Sequence, residues 1–368
     1  MTDPVNSVNS DGGVMSRVPA LDGVRGLAVL LVFLYHAGQP AVGGLLLQSG
    51  VDLFFVLSGF LITSILLRTV ARDNYFRNFY GRRTARIFPL YYLVLTVSLI
   101  GAAVAVHLGV ENDIGFPEAQ NLIDNQWWGW LYQVNNLEAF SGEQAFAGLA
   151  HLWSLSIEEQ FYLVWPLVVL AVTRTRISLF RFCIGAALAS MVLRCVTYPL
   201  IGRDFAYYFT LCRLDGLFLG AAGAVVLLDD SLRERFRPAI TWVGRRWWAV
   251  FLLLFLPEQA GLYLGFTVMA VGFLGLVLAT NEGLLAPRPT RWMENAFFQQ
   301  LGKYSYAIYI FSLPVSRVAN EVSPSNIIAV DAIFRILVVG VISYSLARLS
   351  WVLWERPWLG LKRRFMYT

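Results

Sequence analysis

Charged side chains are scarce in this sequence: they make up 14% of its 368 residues, against 57% hydrophobic ones. A soluble domain carries about a quarter, so the shortage excludes that class. Lysine occurs only at Lys303 and Lys362, and histidine only at His36, His107 and His151. Cysteine is equally thin. Cys183, Cys195 and Cys212 sit in apolar runs without CxxC or metal-ligand spacing, so buried free thiols and no metal site are expected. Strict polar–apolar alternation is missing too, which excludes a membrane β-barrel.

Long apolar runs are what the chain does have. They fall at 22–40, 50–68, 85–107, 152–173, 177–199, 207–228, 243–258, 261–280, 298–320 and 329–353, and runs of about 18 residues or more read as membrane-crossing helices. The expected fold is therefore all-α and polytopic, with about ten transmembrane helices; the seventh and eighth are separated only by Pro257, Glu258 and Gln259. No internal repeat and no separate soluble domain is apparent. The first run could be mistaken for a signal peptide, but Arg25 and His36 within it and the many spans behind it argue for a retained helix.

The net charge of +5 comes almost wholly from arginine. With the N-terminus in the cytoplasm, one set of loops holds Arg68, Arg72, Arg77, Arg82 and Arg83, later Arg233, Arg235, Arg237, Arg245 and Arg246, and finally Lys362, Arg363 and Arg364. The opposite loops hold Arg203 and an acidic stretch with Glu111, Asp113, Glu118, Asp124, Glu138 and Glu143. This is the positive-inside pattern, and it places both termini in the cytoplasm. Residues 1–20 are expected to form a flexible cytoplasmic tail, 21–358 the membrane domain, and 359–368 a short basic tail. The Trp-rich stretch 125–140 is too polar to span and is expected at the outer interface.

Ionisable groups inside spans are costly and default to functional candidates. Arg25 and His36 are eleven residues apart, almost three helical turns, so they share one stripe about 16 Å long. The alternative is a snorkelling arginine and a histidine satisfied within the bundle. Arg83 and Arg86 stand one turn apart at the cytoplasmic start of the third span. Their guanidinium forks suit phosphate oxygens, although anchoring topology would need the same residues. His151, Ser154 and Glu158 follow i, i+3, i+7 spacing and line one helix face, with Glu159 turned about 100° away. Asp52 opens the second span. Arg213 and Asp215 open the sixth and could simply neutralise each other, and His107 is expected at the interface. The pattern suggests a phosphate-bearing donor held on the inside and a reaction centre deeper in the membrane.

These segments resemble the integral-membrane type-3 acyltransferases. The matching elements are LDGVRGLAVLLVFLYH, GVDLFFVLSGFLIT, RRTARIFPLYY, WSLSIEEQFYLVWP, LGKYSYAIYIFSLP and the terminal WERP, in the family's order over residues 21–358. The resemblance implies an acyl-CoA-dependent O-acyltransferase with a ten-span helical domain. Acetyl-CoA is the commonest donor of that family, and the acceptor would be a hydroxyl of a cell-envelope carbohydrate, glycolipid or secreted metabolite. By position it implies that His36 is catalytic with Arg25 as its partner. Arg83 and Arg86 would hold acyl-CoA, and Glu158 would be the essential carboxylate. Ser312 stands where many members carry a second histidine, and the C-terminal esterase-like domain that many members carry is not expected here.

On this reading neutral His36 is a general base on the acceptor hydroxyl, oriented by Glu158 or Asp52, with a covalent acyl-histidine step left open. Acceptor contacts are expected from His151, Ser154, Arg213 and Asp215. The expected partners are the lipid bilayer, acyl-CoA and the hydroxyl acceptor, with no nucleic acid. Two other classes compete. A transporter or flippase for an anionic or sugar-linked lipid would use the same charges as a pathway, and a scaffold would use them only for packing.

Overall fold

The computed structural model describes residues 18–38, 45–110, 119–141, 146, 148–252, 261–321 and 328–366. Most of the expected N-terminal tail lies outside these residues, as do Glu111, Asp113, Glu118, Glu143 and the stretch 253–258 with Pro257 and Glu258. Among the described residues every regular element is helical. The main helices are α1 (Pro19–Gly38), α2 (Gly50–Thr69), α3 (Tyr75–Leu108), α4 (Leu152–Thr173), α5 (Leu179–Leu200), α6 (Asp215–Leu228), α7 (Asp230–Arg245), α8 (Phe266–Asn281), α9 (Ala296–Glu321) and α10 (Ile328–Ser350).

Among the described residues, seven helical stretches are long and apolar enough to cross a membrane: α1 to α5, α8 with the residues just before it, and α10 with the turns that follow it. The remaining three expected spans look different. Residues 207–228 do not form one helix. Phe209 is extended at ψ 127° between the short helices Arg203–Tyr208 and Thr210–Arg213, and α6 has only 14 residues. Of the seventh expected span, the described part shows the short helix Trp247–Leu252. The ninth is an unbroken 26-residue helix, α9, but it is not among the seven. Its polar positions Ser305, Ser312 and Ser316 are buried against other helices, so it faces protein where a lipid-facing span would be apolar.

The third span begins earlier than its hydropathy indicates. α3 is 34 residues long, about 50 Å at 1.5 Å per residue, so Arg82, Arg83 and Arg86 stand on the same rigid helix as the apolar part. The stretch 125–140 folds as the short helices Gln126–Trp130 and Val134–Ser141. It is tied down by Tyr91, whose hydroxyl donates to the Gly129 carbonyl at 2.8 Å, and by Gln160, which donates to the Tyr132 carbonyl at 2.7 Å.

Close backbone approach sets the relation of α1 to α9. A Cβ on Gly302 would overlap the Asp22 carbonyl oxygen, and one on Gly26 would overlap that of Phe298. Small residues at such positions let membrane helices pack backbone to backbone. α2 and α6 meet in the same way, through Gly59 against Leu217 and Gly220 against Val56. The site helices are therefore held by main-chain contact, which leaves little freedom in their register.

Candidate active site

One end of the site is built by α1, α4 and α9. Pro314 lies inside α9 and has no N–H, so the Ile310 carbonyl one turn earlier lacks its helical donor. The imidazole of His151 fills that gap: its Nε2 lies 3.0 Å from the Ile310 oxygen. A carbonyl only accepts, so Nε2 carries the proton and Nδ1 presents a lone pair. That Nδ1 is buried without a hydrogen-bond partner.

His36 lies beside it, half-buried. The two imidazoles meet edge to face with centroids 5.9 Å apart. His36 Nδ1 is 2.8 Å from the Ser312 hydroxyl, which also lies 3.0 Å from the Tyr309 carbonyl oxygen. Because Ser312 can donate to that carbonyl, it can accept from His36 Nδ1–H. The arrangement leaves His36 Nε2 as a bare base. Two further bonds fix the surroundings: Ser316 donates to the His36 carbonyl at 2.6 Å, and Tyr309 donates to the His151 carbonyl at 2.6 Å. Ser154 shares the Tyr309 hydroxyl at 2.6 Å.

Seven residues further along α4, about 10 Å deeper, lies Glu158. Its oxygens accept from the Ser58 hydroxyl at 3.1 Å and the Tyr162 hydroxyl at 2.7 Å. The Arg83 guanidinium sits over the Tyr162 ring, 4.6 Å from its centroid. The charges of both Arg83 and Arg25 act on the Glu158 carboxylate, so the first, third and fourth spans converge at this level. Arg25 also reaches Asp22 at 3.4 Å. The Arg86 charge, one turn along α3, acts on Glu355 of the WERP element. Glu159 is turned toward Tyr91, Tyr92 and Tyr132, and the Arg83 charge reaches it as well.

Asp52, Arg213 and Asp215 form a separate buried group, completed by Arg194. Arg213 pairs with Asp52 at 2.8 Å, and Arg194 pairs with Asp215 at 2.8 Å. Thr267 bonds to both members of the second pair. Arg213 Nε and Nη1 find no hydrogen-bond partner, but its guanidinium stacks 3.9 Å above the Phe266 ring and near Tyr207 and Trp153. Arg213 and Asp215 act on each other's charge, but each makes its direct ion pair with a residue of another helix. Asp52 is held by Arg213, and the side chain bonded to His36 is Ser312.

The spacing of His151, Ser154 and Glu158 does put all three on the face turned to α2 and α9. What sequence reasoning missed was Arg194, together with the hydroxyls of Ser58, Tyr162, Tyr309 and Ser312 that satisfy the expected residues. Pro314 was the one available signal, since it marks where a carbonyl needs an outside donor.

A family model described as an acyltransferase domain matches residues 18–352. The peptidoglycan O-acetyltransferase OatA of Listeria monocytogenes is 30% identical over 92% of this chain and 55% of its own length. A putative peptidoglycan O-acetyltransferase of Bacillus subtilis, YrhL, is 29% identical over 92% of this chain and 54% of its own. A putative O-acetyltransferase of Staphylococcus aureus is 31% identical over 82% of this chain and 51% of its own. The chain thus spans about half the length of these curated relatives. No solved structure matches. On the strength of the match across 18–352, the chain belongs to the type-3 acyltransferase family.

Proposed function

We propose that this protein is a membrane O-acyltransferase that moves an acetyl or other short acyl group from acyl-CoA to a hydroxyl of a cell-envelope glycan. The names of the relatives support the acetyl group and the peptidoglycan-type acceptor. The observation that carries the chemistry is the pairing of His36 Nδ1 with Ser312, 2.8 Å apart, which directs Nε2 to the reaction.

In the step itself, His36 Nε2 takes the acceptor's hydroxyl proton as its oxygen attacks the thioester carbonyl. The C–S bond breaks, and the imidazolium returns the proton to the thiolate. The products are the O-acyl ester and free CoA thiol. Arg83, with Arg25 close to the same carboxylate, is placed to meet the donor's phosphates, for which a guanidinium is suited. Arg86 is assigned to the same donor surface, one turn along α3. Glu158 positions Tyr162 and through it Arg83. Asp52 and Arg213 frame the outer wall, and Asp215 is the counter-charge of Arg194.

On this reading residues 21–358 form the catalytic membrane domain in the cytoplasmic membrane, crossing it ten times, with 1–20 and 359–368 as cytoplasmic tails. The donor enters from the cytoplasm and the acceptor meets it at the level of His36. The test uses protein in lipid vesicles, acetyl-labelled acetyl-CoA and soluble peptidoglycan strands. Label in alkali-labile esters on the glycan, with an equal release of CoA thiol, is expected. Label that appears in neither glycan nor another hydroxyl acceptor would refute the reading.

A further inference from the structure

The mechanism above uses His36 and leaves the buried imidazole beside it, His151, idle. His151 is 3% exposed, and its Nδ1 is buried with no donor. Most buried polar atoms are satisfied, and leaving one unpaired carries a desolvation penalty; among the atoms left unpaired here, His151 Nδ1 is the one beside the His36 ring. The lone pair cannot be removed by a tautomer change, because the Ile310 carbonyl holds the proton on Nε2 at 3.0 Å. The rings around it are those of His36, with centroids 5.9 Å apart, and Tyr309, at 5.3 Å. A donor that completes His151 therefore comes in beside His36.

From this we infer that His151 Nδ1 accepts a hydrogen bond from a second donor group of the acceptor, next to the hydroxyl that His36 deprotonates. The inference rests on the acyltransferase reading and narrows its substrate. Neither bare nitrogen can serve the other's donor, since one hydroxyl has one proton to give. The site thus selects a molecule with two neighbouring donors, such as adjacent hydroxyls or a hydroxyl and an amide N–H on one sugar ring. A simple alcohol fills only the His36 position. His151 is a specificity-determining residue here, and its own proton stays on Nε2 throughout.

The experiment compares two acceptors, methyl glucoside and 1-propanol, with the full chain in lipid vesicles and acetyl-CoA as donor. The wild type is expected to prefer the glucoside in kcat/KM by roughly 10- to 100-fold, the range expected when a buried acceptor is left unpaired. His151→Gln keeps an amide N–H for Ile310 and removes the lone pair at the Nδ1 position. It should lose that preference because kcat/KM falls further for the glucoside than for propanol, chiefly through a raised KM for the glucoside. His151→Asn carries its amide oxygen to the Nδ1 position and should retain part of the preference. A wild type without preference, an equal fall for both acceptors in His151→Gln, or full preference in that variant overturns the inference; the last outcome would mean that only water fills the position. Failure of acetyl transfer itself shows separately, as a wild type that releases no CoA thiol with either acceptor.

Discussion

The cluster around Arg194 and the cluster around His36 differ in what each leaves unspent. Around Arg194, the charges close on one another. Arg194 with Asp215 and Arg213 with Asp52 form two ion pairs at 2.8 Å each, all four residues being buried, and aromatic rings cover the rest of Arg213. Around His36, the bonds stop one atom short on each ring. Ser312 and Ile310 take one nitrogen of each imidazole and leave the other as an acceptor. The contrast shows that an ionisable residue inside a span is not by itself a functional one. What separates the clusters is how the groups are matched: each carboxylate of the quartet meets a guanidinium, although Arg213 keeps two nitrogens unbonded, whereas each imidazole keeps a lone pair that no side chain meets.

Breaking the closed cluster should produce the largest effect, and on stability. Arg194→Met leaves Asp215 as a buried carboxylate without its counter-ion, which typically costs about 3–5 kcal/mol. A marked fall in Tm in detergent or lipid is expected, with CoA release per folded molecule close to wild type. Adding Asp215→Leu to that variant should restore much of the loss, because removing both charges leaves neither stranded. If instead the single variant keeps its Tm and loses turnover, the quartet takes part in the reaction and the division drawn here is wrong.

A change in the open cluster should do the reverse, and more mildly. Ser312→Ala removes the group that holds His36 Nδ1 and should lower kcat by roughly 10-fold, the value of about one hydrogen bond. The KM for acetyl-CoA should hold, since Ser312 is on the His36 side and Arg83 is about two helical turns deeper. A raised donor KM with normal kcat would place Ser312 in donor binding instead.

The sequence disclosed the two clusters unequally. Residues linked by local helical geometry were legible: His151, Ser154 and Glu158 share a face because of their spacing, and Glu159 points away for the same reason. The ion pairs were not, because Asp52 meets Arg213 across 161 positions, and Arg194 sits in a helix whose other residues look lipid-facing. Hydropathy also misjudged the helices nearest the site. α9 reads as an ordinary span, yet its serines are buried, Ser312 and Ser316 against His36 of α1. The sixth apolar run reads as continuous, yet it breaks at Phe209, where an extended residue interrupts the helix. In both places tertiary contacts overrode the local pattern.

The most direct test of the account is the effect of His36→Ala on both quantities at once, measured on purified protein in lipid with acetyl-CoA and a glycan acceptor. The account predicts a fall in CoA thiol release of about 10²- to 10⁴-fold, the usual contribution of a positioned base, at a Tm near that of wild type. Release at the wild-type rate from a folded His36→Ala protein would contradict it.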